Sequence, residues 1–321
     1  MLKNILSKNL IVKEETLENF IDKIGEDCSI VNGQGVNLAF SWDQIEEHTV
    51  SYFNDDNETI NIPLKSIKAT ISSCINNEEE RKVISMIVNE EGENLELVIK
   101  GDSSVQSKVR AKLFGKNTSN ERIKNLWNGQ EIEYPDNQFD LNFLLWLIKN
   151  YKNGTVLTIN NFRFKIIDIP FISDKGIHMS NIKRKGRGRG LVNDPIIKAV
   201  IASIDTIDAL GLKIAFNGGD IDFTLNSNGE IEINSETSIR SPLKLNLDSD
   251  HGFEKIITFI KKIIIKNLKD LYAQDTQAQA EINKMKSDYL IEMSRDIANL
   301  SGVQFLNRIV GNQPINRIIV E

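Results

Sequence analysis

The chain has 321 residues, 40% of them hydrophobic and 26% charged, with a net charge of −6. That is the composition of an ordinary folded protein with room for two domains, and only six prolines and 19 glycines leave little for a low-complexity tail. No window approaches the roughly 18 apolar residues of a membrane span, and Met1 to Glu15 lacks the apolar run of a signal peptide.

Cys28 and Cys74 lie 46 residues apart without a CxxC or Cys/His ligand spacing, so each reads as a small buried apolar residue in a reducing compartment. The expected location is cytoplasmic, without membrane insertion. Heavy use of Asn, Ile and Lys suggests an AT-rich bacterial or phage genome. The charges are unevenly spread. Residues 14–98 hold 19 acidic against five basic residues, and residues 149–189 hold ten basic against two acidic, regional balances of −14 and +8. A split of that size favours one region that meets a polyanion and another that repels it or meets a different partner.

In chain order, Leu17, Phe20, Ile21 and Ile24 at helical spacing predict a helix from Glu15 to Lys23. A turn follows at Asn32 to Gly35, and a hairpin joins Ser85–Val88 to Asn94–Lys100 through a loop from Asn89 to Glu93. The expectation to residue 115 is an acidic, mostly β domain. Lys108, Arg110, Lys112, Lys116, Arg122 and Lys124 then form a basic stretch of two short helical pieces around Phe114 to Thr118. An α/β domain, 116–321, begins here. Asn142 to Lys149 predicts a helix burying Phe143, Leu144, Leu147 and Ile148, with Trp146 at its flank. Strands follow at Thr155–Ile159 and Arg163–Ile169, the second placing Arg163 and Lys165 on one face.

Pro170 to Gly190 shows no periodicity and reads as a functional loop. It ends in Lys183, Arg184, Lys185, Gly186, Arg187, Gly188 and Arg189, five cations in seven residues. Asp194 and Pro195 signal a helix start, and the apolar pattern from Ile196 to Leu210 predicts a helix ended by Gly211. A strand Leu212–Phe216 leads to a second hairpin, Asp220–Asn226 with Glu230–Asn234, whose outer face carries Asp222 and Glu232. Two long helices, or one bent one, span Gly252 to Leu300. Residues 305–320 read as a hairpin or edge strand. The expected class is α+β, with a mostly β acidic N-terminal domain, an α/β C-terminal domain and long C-terminal helices.

Guanidinium forks, backbone-exposing glycines and a nearby helix N-terminus together suit phosphate. Lys183, Arg184, Lys185, Arg187 and Arg189, with Arg163 and Lys165, are therefore the candidate nucleic-acid contacts. The weak aromatic interleaving, limited to Phe162, Phe164 and Phe171, favours nonspecific duplex binding, DNA rather than RNA. The expectation is a DNA-binding component of a bacterial or phage assembly such as antiviral defence, rather than an enzyme, with no cofactor. The three histidines, His48, His178 and His251, share no ligand spacing and read as surface or capping residues. No phosphate-binding loop, dinucleotide fingerprint or nucleophile elbow occurs.

Two alternatives stand beside this reading. The order helix, strand, hairpin, helix across residues 195–272, with Asp222 and Glu232 on adjacent strands, resembles the core of the PD-(D/E)xK nucleases. That resemblance implies Mg²⁺ or Mn²⁺ held by Asp222 and Glu232 as catalytic and metal residues. The chain departs from it at Glu232, Ile233, Asn234, where the family has Glu-x-Lys. The other alternative is an oligomeric scaffold, self-associating or bound to a protein partner through the acidic domain or the C-terminal helices.

Overall fold

Residues 4–24, 30–31, 37–42, 45–75, 78–101, 132–133, 139–175, 183–187, 191–193, 195–203, 206–217, 219–234, 238–239, 245–246 and 251–300 are described by a computed structural model. The N-terminal elements are β1 (Asn4–Val12), α1 (Leu17–Ile24), β2 (Ile30–Val31), β3 (Asn37–Trp42), β4 (Glu46–Phe53), β5 (Thr59–Ile75), β6 (Glu78–Glu91), β7 (Asn94–Lys100) and β8 (Ile132–Glu133). Then come α2 (Leu141–Lys152), β9 (Val156–Ile159), β10 (Phe162–Lys175), β11 (Lys183–Arg187), α3 (Pro195–Ser203), β12 (Ala209–Phe216), β13 (Gly219–Asn226), β14 (Ile231–Asn234), β15 (Ser238–Ile239) and β16 (Leu245–Asn246). The C-terminal helices are α4 (Gly252–Phe259), a π-helical continuation (Ile260–Ile265), α5 (Lys266–Gln274) and α6 (Ala278–Leu300). The α+β class holds.

Fourteen strands form one antiparallel sheet in the order β11-β10-β12-β13-β14-β1-β7-β6-β5-β3-β2, with β4 on β5, β8 on β1 and β9 on β10. The sheet contains strands from both halves of the chain, because β1 pairs with β14 on one side and β7 on the other. The predicted basic helical pieces around residues 103–127 and the terminal segment 305–320 lie outside the described residues.

The predicted hairpins form, with tighter geometry. Glu91 opposes Asn94, so the β6–β7 loop is Gly92 and Glu93 alone, and Gly92 (φ 63°) supplies the left-handed backbone such a loop requires. Asn160 and Asn161, at φ 46° and 58°, close the β9–β10 hairpin in the same way. Along β13 and β14, Ile221, Phe223, Leu225, Ile231 and Ile233 are buried as the alternation predicts.

Two expectations fail in an instructive way. The helix predicted to reach Leu210 stops at Ser203, and Leu210 and Gly211 belong to β12. The mixed apolar run suits a doubly buried strand as well as a helix, and the sheet wins. Gly211 is there for space: a Cβ would lie 2.8 Å from the Cβ of Phe171 and 3.1 Å from its backbone nitrogen. Gly211→Ala should therefore destabilise the fold by about 1–3 kcal/mol, read from the urea midpoint, because the neighbour that must yield is backbone as well as side chain.

Trp146 is buried at 1% exposure, not flanking. The core extends through β9, β10 and β12–β14 to α2, α3 and the C-terminal helices, and includes Val50, Leu64, Ile87 and Val98 from the N-terminal strands. Asp140 caps α2 by accepting from the Phe143 N–H at 2.8 Å. The C-terminal helices are tied across the sheet by polar contacts. Glu254 on α4 accepts from the Ser85 hydroxyl on β6, and Lys261 pairs with Glu96 on β7 at 2.6 Å. Asp275 ends α5 and accepts from the Trp146 indole N–H at 2.8 Å and the Gln277 N–H. Ile282, Met285 and Tyr289, part of the apolar stripe that suggested a scaffold, are buried inside this molecule, while Leu290 and Ile291 are about half exposed.

Candidate functional site

Within the segment read as a 20-residue loop, the described residues form a strand pair. β10 continues to Lys175, and β11 returns beside it with Phe171 opposite Arg187, Ser173 opposite Lys185, Asp174 opposite Arg184 and Lys175 opposite Lys183. Lys183, Arg184, Lys185 and Arg187 are thus on an end strand of the sheet order, with β10 as the one strand paired to it among the described residues. Arg189, Asp194 and His178 lie outside the described residues. Glycine and like charges hide the strand from a propensity reading, but an edge strand needs one partner only, and charges are common there because they block edge-to-edge pairing. Within the pair, residues 171–175 and 183–187 carry five cations and one carboxylate, Asp174. Lysine opposite lysine at 175 and 183 is an unfavourable register without a counter-charge.

Arg163 and Lys165 are on the same strand but at its other end. Both are exposed, opposite β9. Eight residues separate Arg163 from Phe171, about 26 Å of extended chain. Arg163 is also engaged: its Nε lies 3.3 Å from Asp55 Oδ2. The turn after β4 that carries Asp55 is built by Asn54, whose side-chain oxygen accepts from the Asp56 and Glu58 N–H groups, and it docks through Asp55 N–H to the Asn161 carbonyl at 2.8 Å. Part of the acidic N-terminal region therefore meets the Arg163 end of β10. Two further cations of the basic region serve the helices: Lys149 is paired with Glu281 and lies 3.7 Å from Asp275, and Lys152 is 3.5 Å from Glu292.

Asp222 and Glu232 stand on neighbouring strands, both half-buried, but two residues apart in register: Thr224 is opposite Glu232, and Asp222 is opposite Lys213 on the other side. Lys213 pairs with Asp220 at 2.6 Å. Among the described residues no third His, Cys, Asp or Glu completes a ligand group with these two.

Such a group does form elsewhere, from residues that sequence reasoning treated separately. Glu46 and His48 project from one side of β4, two residues apart, and His251 precedes α4 in the left-handed conformation at φ 56°, its side chain making no capping hydrogen bond. The two imidazoles stack with centroids 3.7 Å apart and planes at 28°. Glu46 Oε2 is 3.5 Å from His48 Nε2 and 3.4 Å from His251 Nδ1, and Lys68 donates to both carboxylate oxygens at 3.3 and 3.2 Å. The Lys68 hydrogen bond holds the Glu46 carboxyl below its usual range. Burial, then the neighbouring His251, pushes the His48 imidazole down, outweighing Glu46. No spacing signal could have found this pair, because His48 and His251 are 203 residues apart and meet only when α4 docks on β4.

Compared with protein-family models, curated proteins and solved structures, the chain matches none of them. No helix among the described residues is long and apolar enough to cross a membrane.

Proposed function

We propose that the protein binds nucleic acid nonspecifically, duplex DNA in the first place, through the cationic end of the β10–β11 pair. The observation that carries this reading is the charge concentrated on one strand pair: five cations and one carboxylate in ten paired residues, with Lys183 opposite Lys175 in the register. A polyanion laid along β11 would neutralise that repulsion, and contacts of this kind give affinity without reading sequence. Lys165, exposed further along the strand, extends the same basic track, whereas Arg163 is shared with Asp55.

The test is fluorescence anisotropy with a labelled 30-base-pair duplex at 50 mM salt. Replacing Lys183, Arg184, Lys185 and Arg187 together by alanine should weaken binding by at least about 100-fold, since each lost phosphate contact removes nearly one decade at low salt. Thermal midpoints of the two proteins should agree within a few degrees. Unchanged affinity in the variant would leave the cations with edge protection as their only role.

A further inference from the structure

The geometry points to Glu46, His48 and His251 as a three-ligand site for a divalent transition ion of zinc type, independent of the cationic strand. Two imidazole nitrogens and one carboxylate oxygen are the donor set of open zinc sites, which leave a fourth position for water or a substrate group. Their separations fit such an ion. With ligand bonds of about 2.0–2.1 Å, neighbouring donors of a tetrahedral site are about 3.3–3.4 Å apart. Glu46 Oε2 lies 3.5 Å from His48 Nε2 and 3.4 Å from His251 Nδ1, and all three ligand atoms fall within 4.8 Å of one another.

Two features set this cluster apart from a chance meeting of polar residues. The His48 Nε2 atom is buried and its contact with Glu46 Oε2, at 3.5 Å, is too long for a well-formed hydrogen bond, which is costly for a ring nitrogen unless something fills its lone pair or takes its proton. His251 adopts a left-handed backbone uncommon for a residue with a Cβ, and places its Nδ1 over Glu46 instead of capping α4. Ligation would require the two stacked rings to turn apart about χ2, a soft torsion, and Lys68, which donates to Oε1 at 3.3 Å and Oε2 at 3.2 Å, to release Oε2 and keep Oε1. A bound ion would clip the start of α4 to β4, beside the Glu254–Ser85 hydrogen bond that ties the same helix to β6.

The experiment titrates Zn²⁺ alone into the full chain, freed of metal by chelation, with calorimetry for stoichiometry and the unfolding midpoint as a second reading. One equivalent should bind and raise the midpoint, and Co²⁺ in its place should give the visible absorption of a tetrahedral site with nitrogen ligands. His48→Gln and His251→Gln should each weaken Zn²⁺ binding by at least about 100-fold and abolish the Co²⁺ bands. Glu46→Gln, on an intermediate-exposure strand position, gives the same reading should a histidine variant fail to fold. Wild-type protein that takes up no Zn²⁺, or whose uptake and Co²⁺ spectrum survive in the folded variants, overturns the assignment. In that case any bound ion sits at other donors, such as Cys28, Cys74 or His178.

Discussion

Trp146→Ala is expected to destabilise the protein by about 3–5 kcal/mol, enough to shift the urea midpoint by more than 1 M. Trp146 is 1% exposed and packs among Phe143 and Tyr272, with ring centroids 6.2 and 5.7 Å away. Removing the indole empties the seam between α2 and α5 and leaves a cavity that only helix movement could close. It also takes the N–H from Asp275, the residue that ends α5 and turns the chain into α6. Trp146→Phe, which keeps most of the volume and loses the hydrogen bond, should cost about 1–2 kcal/mol. Equal losses in the two variants would mean that the indole N–H, rather than the packing, carries the effect.

Lys261→Met should cost about 3 kcal/mol near pH 7, because it removes the ion-pair partner of the Glu96 carboxylate where both groups are under one-fifth exposed. Burial alone would raise the Glu96 carboxyl, but the Lys261 charge and hydrogen bond, helped by Asn89 and Lys262, outweigh it and hold the group below its usual range. A depressed carboxylate contributes stability that is present above its unfolded value, about 4.3, and is lost as pH falls through the lower folded value. In the variant burial acts with far less opposition, the carboxyl rises, and the charged form becomes a cost that protonation relieves. The stability gap between the two proteins should thus be widest near neutrality and narrow as pH falls below about 5. The double variant Glu96→Gln, Lys261→Met should recover most of the loss, since neither charge is then stranded. Urea titrations at several pH values read all three outcomes.

What the sequence made legible follows from how local each signal is. The hairpins β6–β7 and β13–β14 and the helices α1, α2 and α6 announce themselves by short-range periodicity, although α2 is buried on every side from Phe143 to Asn150 rather than on the predicted face alone. Strand β1 gives no such signal. Its neighbours β14 and β7 lie more than 80 residues away, and its place in the middle of the sheet is decided by pairing. Strand β11 was hidden for the opposite reason: its composition resembles a loop, and only the register against β10 makes it extended. The chemistry divides in the same way. The basic run is a local feature whose residues Lys183 to Arg187 stay together on β11, with Arg163 and Lys165 further along β10. The histidine pair depends on a helix crossing a sheet and leaves no trace in linear spacing.

The opposite regional charges also acquire a structural meaning. The acidic turn at Asp55 neutralises the Arg163 end of β10, and Asp275, Glu281 and Glu292 occupy Lys149 and Lys152. Five further cations of the +8 region, Lys175, Lys183, Arg184, Lys185 and Arg187, fall on the paired stretch of β10 and β11. Its charge is the basis of the proposed interaction with phosphate.

The most direct test of that interaction is a salt titration of duplex binding for the wild-type chain and for the variant lacking the cations at 183, 184, 185 and 187. The proposed surface predicts a wild-type slope of log K against log salt of about −4 or steeper, reduced by about three to four units in the variant. Equal slopes in the two proteins, or no binding by the wild type at 50 mM salt, would contradict it.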